Sequence, residues 1–182
     1  DSGVKNFLIT GTCFEYGMQN GCLTEDTRTS PKNNYGIAKE KLRNSILGYS
    51  EKKDVCIQWA RLFYLYGKGQ NQNSLIGQLE QKLKNNEKYF HMSKGDQLRD
   101  YLSIEDVCSR ISKLIENNHI NGVINICSNK PISIENLVLK YIKLKNKQIE
   151  LIKGYYNYND YEPMNFWGHS KYFDSIGNLN EQ

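Results

Sequence analysis

The stretch Val4-Lys5-Asn6-Phe7-Leu8-Ile9-Thr10-Gly11-Thr12 sets how the rest of the chain reads. Its short apolar run stops at Gly11-Thr12 and gives way to a polar loop through Gly17, Gly21 and Pro31, the pattern of a buried strand feeding a long loop. Beyond that loop, between Tyr35 and Tyr49, Ile37, Ala38, Leu42, Ile46 and Leu47 share one face of a helix. Val55 to Tyr64 then reads as a second buried strand, closed by Tyr66-Gly67-Lys68-Gly69. The alternation continues downstream. Leu75, Ile76, Leu79 and Leu83 have helical spacing, and a short strand is expected around Lys88 to Met92. Ile104, Val107, Cys108, Ile111, Leu114 and Ile115 form the clearest amphipathic stripe. Gly122 to Cys127 reads as a strand, Ser133 to Leu144 as a helix opening on a Ser, and Gln148 to Ile152 as a final strand. Such alternation predicts an α/β architecture with a largely parallel sheet.

The 182 residues suffice for one core, or for part of a larger domain. Hydrophobic residues make up 38%, and no apolar run approaches the ~20 residues of a membrane span, so a membrane protein is not expected. The net charge of +4 comes from 24 basic and 20 acidic residues spread along the chain, which does not imply nucleic acid. Five Cys, with no C-x-x-C, and three widely separated His predict a reduced, cytoplasmic compartment and no structural metal. The tail from Tyr155 is Tyr-rich but lacks the interleaved basic residues of a base-stacking surface, and is expected to be a packed tail or lid. The chain does not begin with Met, and Asp1-Ser2-Gly3 leads straight into a strand, as if the chain started in the middle of something.

Candidate chemistry lies in Thr12 at the end of the first strand, Tyr35 at the start of the first helix and Lys39 one turn later. Residues four apart on a helix lie on the same side. A Lys ammonium favours the phenolate of a neighbouring Tyr, making it a usable proton donor and acceptor, and a Thr hydroxyl on the facing loop can bond the same substrate oxygen. The spacing by itself is weak evidence: with 13 Tyr in a Lys-rich chain it recurs at Tyr49/Lys53, Tyr64/Lys68 and Tyr141/Lys145. Context separates them. Tyr64/Lys68 spans a Gly loop, Tyr49/Lys53 falls where the helix should end, and Tyr141/Lys145 has no Ser or Thr at the right distance before it. Cys13 lies beside the proposed site, but with no His nearby in sequence it reads as a small buried thiol.

Five segments occur in an order that carries a resemblance: Phe7-Leu-Ile-Thr-Gly-Thr-Cys-Phe-Glu-Tyr-Gly17, Leu23-Thr-Glu-Asp26, Pro31-Lys-Asn-Asn-Tyr-Gly-Ile-Ala-Lys39, Arg61-Leu-Phe-Tyr-Leu-Tyr-Gly-Lys-Gly-Gln70 and Arg99-Asp-Tyr-Leu-Ser-Ile-Glu-Asp106. Together they resemble the extended short-chain dehydrogenase/reductases, and within them the NAD-dependent epimerase/dehydratase family acting on nucleotide sugars. Asn125-Ile-Cys-Ser128, Pro131-Ile-Ser-Ile134 and Glu162-Pro-Met-Asn-Phe-Trp-Gly168 resemble the branch that reduces CDP- or dTDP-4-keto-6-deoxyhexoses, CDP-abequose synthase among them. The resemblance implies Tyr35 as acid/base, Lys39 on the nicotinamide ribose and Thr12 in the catalytic Ser/Thr position. It also implies Phe63 along the nicotinamide, Asn73 and Ser74 facing the sugar nucleotide, and Arg99 on the diphosphate, whose oxygens suit an Arg fork. The cofactor would be NAD or NADP.

Two departures refine this. In the family's 4,6-dehydratases the catalytic Thr is followed by Asp and Glu. Here Cys13 and Phe14 follow, which disfavours elimination and leaves 4-keto reduction or 4-epimerisation, with surface-polysaccharide synthesis as the implied setting. No G-x-x-G-x-x-G occurs anywhere, so the usual grip on the cofactor pyrophosphate is lacking. The resemblance therefore implies the C-terminal part of a Rossmann-type parallel sheet plus a smaller α/β substrate-binding subdomain, with the N-terminal part present as a separate complementing segment or truncated away. Residues 1–72 would form the catalytic half of the dinucleotide-binding domain. Residues 73–182 would mainly form the sugar-nucleotide subdomain, with some segments returning to the sheet. A homodimer is a further expectation, and a non-catalytic sugar-nucleotide-binding module is the alternative reading.

Overall fold

The computed structural model describes residues 3–50, 55–117 and 119–173. Asp1, Ser2 and the Lys53 of the Tyr49/Lys53 pair lie outside the described residues. In chain order the elements are β1 (Asn6–Thr12), a 3-10 turn (Cys13–Tyr16), β2 (Gly21–Leu23), α1 (Asn34–Ser50), β3 (Cys56–Leu62), β4 (Tyr64–Tyr66), α2 (Leu75–Lys84) and β5 (Tyr89–His91). They continue with β6 (Leu98–Arg99), β7 (Tyr101–Ser103), α3 (Ile104–Glu116), β8 (Gly122–Ile126), β9 (Ile132–Ser133), α4 (Ile134–Leu144), β10 (Glu150–Ile152) and β11 (Asn165–Gly168).

β1, β3 and β8 form a parallel sheet in that order, with Ile9 opposite Trp59 and Trp59 opposite Val123. β3 is central, which is why Ile57 to Arg61 is buried without alternation. Among the described residues β1 pairs on one side only, and Val4 and Phe7 near its start are exposed. The mixed α/β architecture with parallel strands is the predicted one. Helix starts follow local chemistry. The hydroxyls of Ser74, Ser103 and Ser133 accept, at 3.1 Å, the backbone N–H of Gly77, Asp106 and Asn136, capping α2, α3 and α4. Asn33 does the same for α1 through Gly36 N at 2.7 Å.

One core cluster joins α2, β5 and α4 through Ile76, Leu79, Leu83, Phe90, Leu137 and Val138. A second, of Ala60, Leu102, Val107, Leu114, Ile124 and Ile126, seats α3 on the parallel sheet. A third, of Cys13, Tyr16, Leu23, Phe63, Cys127 and Phe166, lies at the strands' C-terminal ends.

Three features depart from the sequence reading. The tail from Tyr155 is more than a cover: β11 sits between β2 and β6 in a four-stranded sheet of order β2-β11-β6-β9. Strands of two to four residues such as β2, β6, β9 and β11 are too short to show a period. The apolar stripe of α1 is only partly covered, with Ala38 and Leu42 exposed beside Tyr35 and Tyr49. On α3, Val107 and Leu114 are buried, whereas Cys108 and Ile115 face out.

Candidate active site

β1 ends at Thr12, whose backbone is still extended (φ −146°, ψ 145°) as the 3-10 turn begins. Its hydroxyl accepts the N–H of Phe14 at 3.3 Å, and its own N–H donates to Glu15 Oε1 at 2.8 Å, a reciprocal cap. Glu15 is fully buried. It also accepts Trp59 Nε1 at 3.1 Å and Arg61 Nε at 2.9 Å, both from β3. Gly11 is required by this packing, because a Cβ there would collide with the Trp59 indole nitrogen.

The same turn receives the start of α1. Gly36 is buried, and a Cβ on it would come within 2.7 Å of the Phe14 carbonyl oxygen, so the helix seats its backbone directly on the turn. Tyr35, the second residue of α1, is 55% exposed and meets the Phe14 ring edge-on at 6.5 Å between centroids. Lys39 Nζ lies 6.0 Å from the Tyr35 ring centroid and donates to the carbonyl of Thr10 on β1 at 2.8 Å. Thr12, Tyr35 and Lys39 are thus gathered at the C-terminal end of β1. That is where open α/β sheets place ligands.

From Phe14 a line of contacts leads to Arg99. Phe14 meets Tyr64 edge-on at 6.0 Å, and the Arg99 guanidinium lies 5.7 Å from the Tyr64 ring centroid. Arg99 is 3% exposed; its Nη2 pairs with Glu162 Oε2 at 3.0 Å, and its Nη1 donates to the carbonyls of Leu98 and Met164. Burial pushes the Cys13 thiol far above its ordinary range, and the carboxylates of Glu162 and Asp100 add to that, so the thiol is no nucleophile. Burial likewise raises Tyr64, while it pushes Tyr101 up to about 12.

The remaining predicted residues sit differently. Phe63 is 4% exposed and its ring packs against Tyr16 and Phe166, so it is a core element. Asn73 and Ser74 lie at the start of α2: Ser74 caps the helix, and the Asn73 carbonyl accepts Gln78 Nε2. A cavity of about 530 Å³ between α3 and α4, lined by Arg110, Lys130, Lys140 and Tyr141, contains none of the predicted site residues. Sequence reading missed three side chains that shape the site: Glu15, Tyr64 and Glu162. All three fall inside segments quoted above, but nothing in the sequence pairs Glu15 with Arg61, or Glu162 with Arg99 across 63 positions. Among the described residues no cluster of three potential metal ligands occurs, and no helix is long and apolar enough to cross a membrane.

The chain has relatives among known proteins. Residues 1–127 match the sequence profile of the NAD dependent epimerase/dehydratase family. The chain is 29% identical over 167 residues to a dTDP-6-deoxy-L-talose 4-dehydrogenase (NAD(+)) from Aggregatibacter actinomycetemcomitans, covering 91% of this chain and 62% of that protein. It is 27% identical over 150 residues to a GDP-6-deoxy-D-talose 4-dehydrogenase from the same organism, covering 82% and 49%. The chain therefore spans between about half and three-fifths of these relatives' length. In fold it is similar to a UDP-N-acetylglucosamine 4-epimerase from Methanobrevibacter ruminantium M1 (TM-score 0.83, 21% identity, 94% of this chain and 56% of that one). It is also similar to a UDP-glucuronic acid 4-epimerase from Bacillus cereus, solved with UDP-glucuronic acid and NAD (TM-score 0.79, 23% identity, 94% and 55%).

Proposed function

The chain belongs to the NAD dependent epimerase/dehydratase family, and from that premise we propose that it carries the proton-transfer half of an NAD- or NADP-dependent nucleotide-sugar oxidoreductase. The reaction is oxidation-reduction at C4 of a 6-deoxyhexose, or 4-epimerisation, in surface-polysaccharide synthesis in the cytoplasm. One observation carries the reading: Thr12, Tyr35 and Lys39 converge at the C-terminal end of β1, held through Phe14 and the Thr10 carbonyl.

The donor set suits the nicotinamide end of the cofactor, with an ammonium for the ribose hydroxyls and an exposed phenol beside it. A nicotinamide bound there would supply or take the hydride. The residues of this chain handle the proton. Tyr35 gives or takes it at the C4 oxygen. Thr12 Oγ1 already accepts from Phe14 N, which leaves its own O–H to donate to that oxygen. Lys39 holds the ribose. Neither Cys13, kept protonated by burial, nor Phe14 supplies the acid or base that elimination needs, so the chemistry stops at C4. Arg99 binds the diphosphate after exchanging its Glu162 partner for phosphate oxygens, while Asn73 and Ser74 line the nucleotide side.

No glycine-rich phosphate loop is present in the sequence. We assign that task to an N-terminal complementing segment that adds strands to the open edge of β1. In this scheme residues 1–72 belong to the dinucleotide-binding domain and residues 73–182 mainly to the sugar-nucleotide subdomain, with β8 returning to the parallel sheet. The exposed Ala38, Leu42 and Tyr49 of α1 offer a surface for that segment or for a second copy of the chain. A sugar-nucleotide-binding module without turnover is the second reading.

NAD(P)H binding and 4-ketosugar reduction, measured with and without a complementing segment, separate the two readings. Tyr35→Phe should cut turnover by at least about a hundredfold with the nucleotide-sugar Kd unchanged. Absence of NAD(P)H binding in both preparations, with no effect of Tyr35→Phe, would leave only the binding module.

A further inference from the structure

Glu15 is a carboxylate with no exposure, and it touches no group that the proposed reaction uses directly. Its partners come from three elements: Thr12 N at the end of β1, Trp59 Nε1 and Arg61 Nε on β3, and Arg43 Nε of α1 at 4.0 Å. Arg43 in turn donates to Glu40 on the same helix, and Glu40 accepts Thr29 Oγ1 at 2.6 Å from the preceding loop. Gly11 leaves open the space that the Trp59 indole needs to reach the carboxylate. The Arg61 guanidinium lies 4.3 Å from the Tyr16 ring centroid, and its Nη1 is buried without a hydrogen-bond partner among the described residues.

A buried ion pair is a weak source of stability, because removing both charges from water offsets their attraction. An apolar side chain between β1 and β3 would fill the place at less cost. What a carboxylate adds is direction: three N–H donors converge on its two oxygens, with Arg43 of α1 beside them as an ion pair at 4.0 Å, and each partner's position constrains the others. The elements so tied are those that carry Thr12, and Tyr35 with Lys39.

We propose that Glu15 is a positioning residue that sets Thr12 on β1 against Tyr35 and Lys39 on α1, acting through Arg61, Trp59 and Arg43. The proposal rests on the reading of Thr12, Tyr35 and Lys39 as the proton-transfer group. It gives Glu15 no proton to move; its effect is on the relative placement of the hydroxyl and the phenol, to which rates are steeply sensitive.

The test is Glu15→Gln in the same preparation that turns over. The expected result is a kcat lowered about tenfold, with KM for the nucleotide sugar within about twofold of the parent. A second readout needs no activity. In amide and indole NMR spectra of the ¹⁵N-labelled protein, Glu15→Gln should speed solvent exchange of the Trp59 indole N–H and shift the amides of Thr12, Tyr35 and Lys39. A residue with only a local structural role would shift Thr12 and Trp59 and leave Tyr35 and Lys39 in place. Unchanged kcat where Tyr35→Phe abolishes turnover, or unmoved Tyr35 and Lys39 amides, overturns the proposal. If Tyr35→Phe itself has no effect, the functional reading fails, and the spectra still decide whether Glu15 couples the two elements. Should Glu15→Gln not fold, Arg43→Met, at the outer end of the network, must lower kcat at constant KM and shift the same two amides; no change in either again overturns it.

Discussion

Gly11 has no room for a side chain, since the Trp59 indole nitrogen occupies the space a Cβ would take. Gly11→Ala therefore forces β1 and β3 apart next to Thr12 and should destabilise the protein by about 1–3 kcal/mol, read as a lower urea midpoint. Thr12 itself separates chemistry from structure. Its hydroxyl both caps the turn and, in the proposed mechanism, donates to the substrate oxygen, so Thr12→Ser should keep turnover, whereas Thr12→Val should lose about a hundredfold. Equal activity in the two variants would remove Thr12 from the mechanism. Thiols give a simpler check. Cys13 and Cys127 are buried with thiols raised by that burial, while Cys22 and Cys108 are exposed. Alkylation of the native protein followed by peptide mapping should find Cys22 and Cys108 modified well before Cys13, the order expected if Cys13 is packing rather than nucleophile.

At the scale of elements, α1 is held less by an apolar face than by polar ties. Gly36 is the one residue buried among its described positions, and the helix leans on the turn at Phe14, the Asn33 cap and the Glu40, Arg43 and Thr29 group. Burial pushes the Glu40 carboxyl up, but the hydrogen bonds from Arg43 and Thr29 outweigh it and hold the group below the ordinary carboxylate range. A carboxyl lowered in the folded state contributes stability above its unfolded pKa of about 4.3, and that contribution disappears as pH falls through the folded value. Urea midpoints followed from about pH 7 to about pH 3 should therefore fall more steeply for the parent than for Glu40→Gln, and parallel curves would show that the ties do not couple to folding. The helix start at Ser133 was legible because Ser before an apolar period has a single local meaning, and Ser74 and Ser103 cap their helices in the same way. The short strands β2, β4, β6, β7, β9 and β11 were not legible, because each gets its pairing from a partner distant in sequence: Phe166 lies opposite Gly21 on one side and Arg99 on the other.

On the scale of the whole molecule, β1 is both the strand that presents Thr12 and an edge with one hydrogen-bonding side open among the described residues. With Val4 and Phe7 exposed near its start, the chain alone should self-associate through that edge. Phe7→Lys should reduce the association seen by light scattering, and an added complementing segment should slow exchange of the β1 amides that face away from β3. Exchange unaffected by any such segment would place the missing phosphate grip elsewhere.

Local chemistry and periodicity in the sequence determined the β-α alternation, the helix caps and the meeting of Tyr35 with Lys39, because those depend on neighbours within one strand or one turn. The order of motifs further pointed to Thr12 and Arg99. Only the tertiary structure decided that Phe63 is core rather than lining, that the tail is a strand joining the loop at Gly21 to Arg99, and that Glu162 occupies the Arg99 fork. It also decided that a single buried carboxylate, Glu15, accepts donors from β1 and β3 and pairs with Arg43 of α1 at 4.0 Å. Apart from Thr12 with Glu15, these are pairings between residues 28 to 145 positions apart, and a side chain's partner at that distance is set by how the layers pack, not by any period the chain displays.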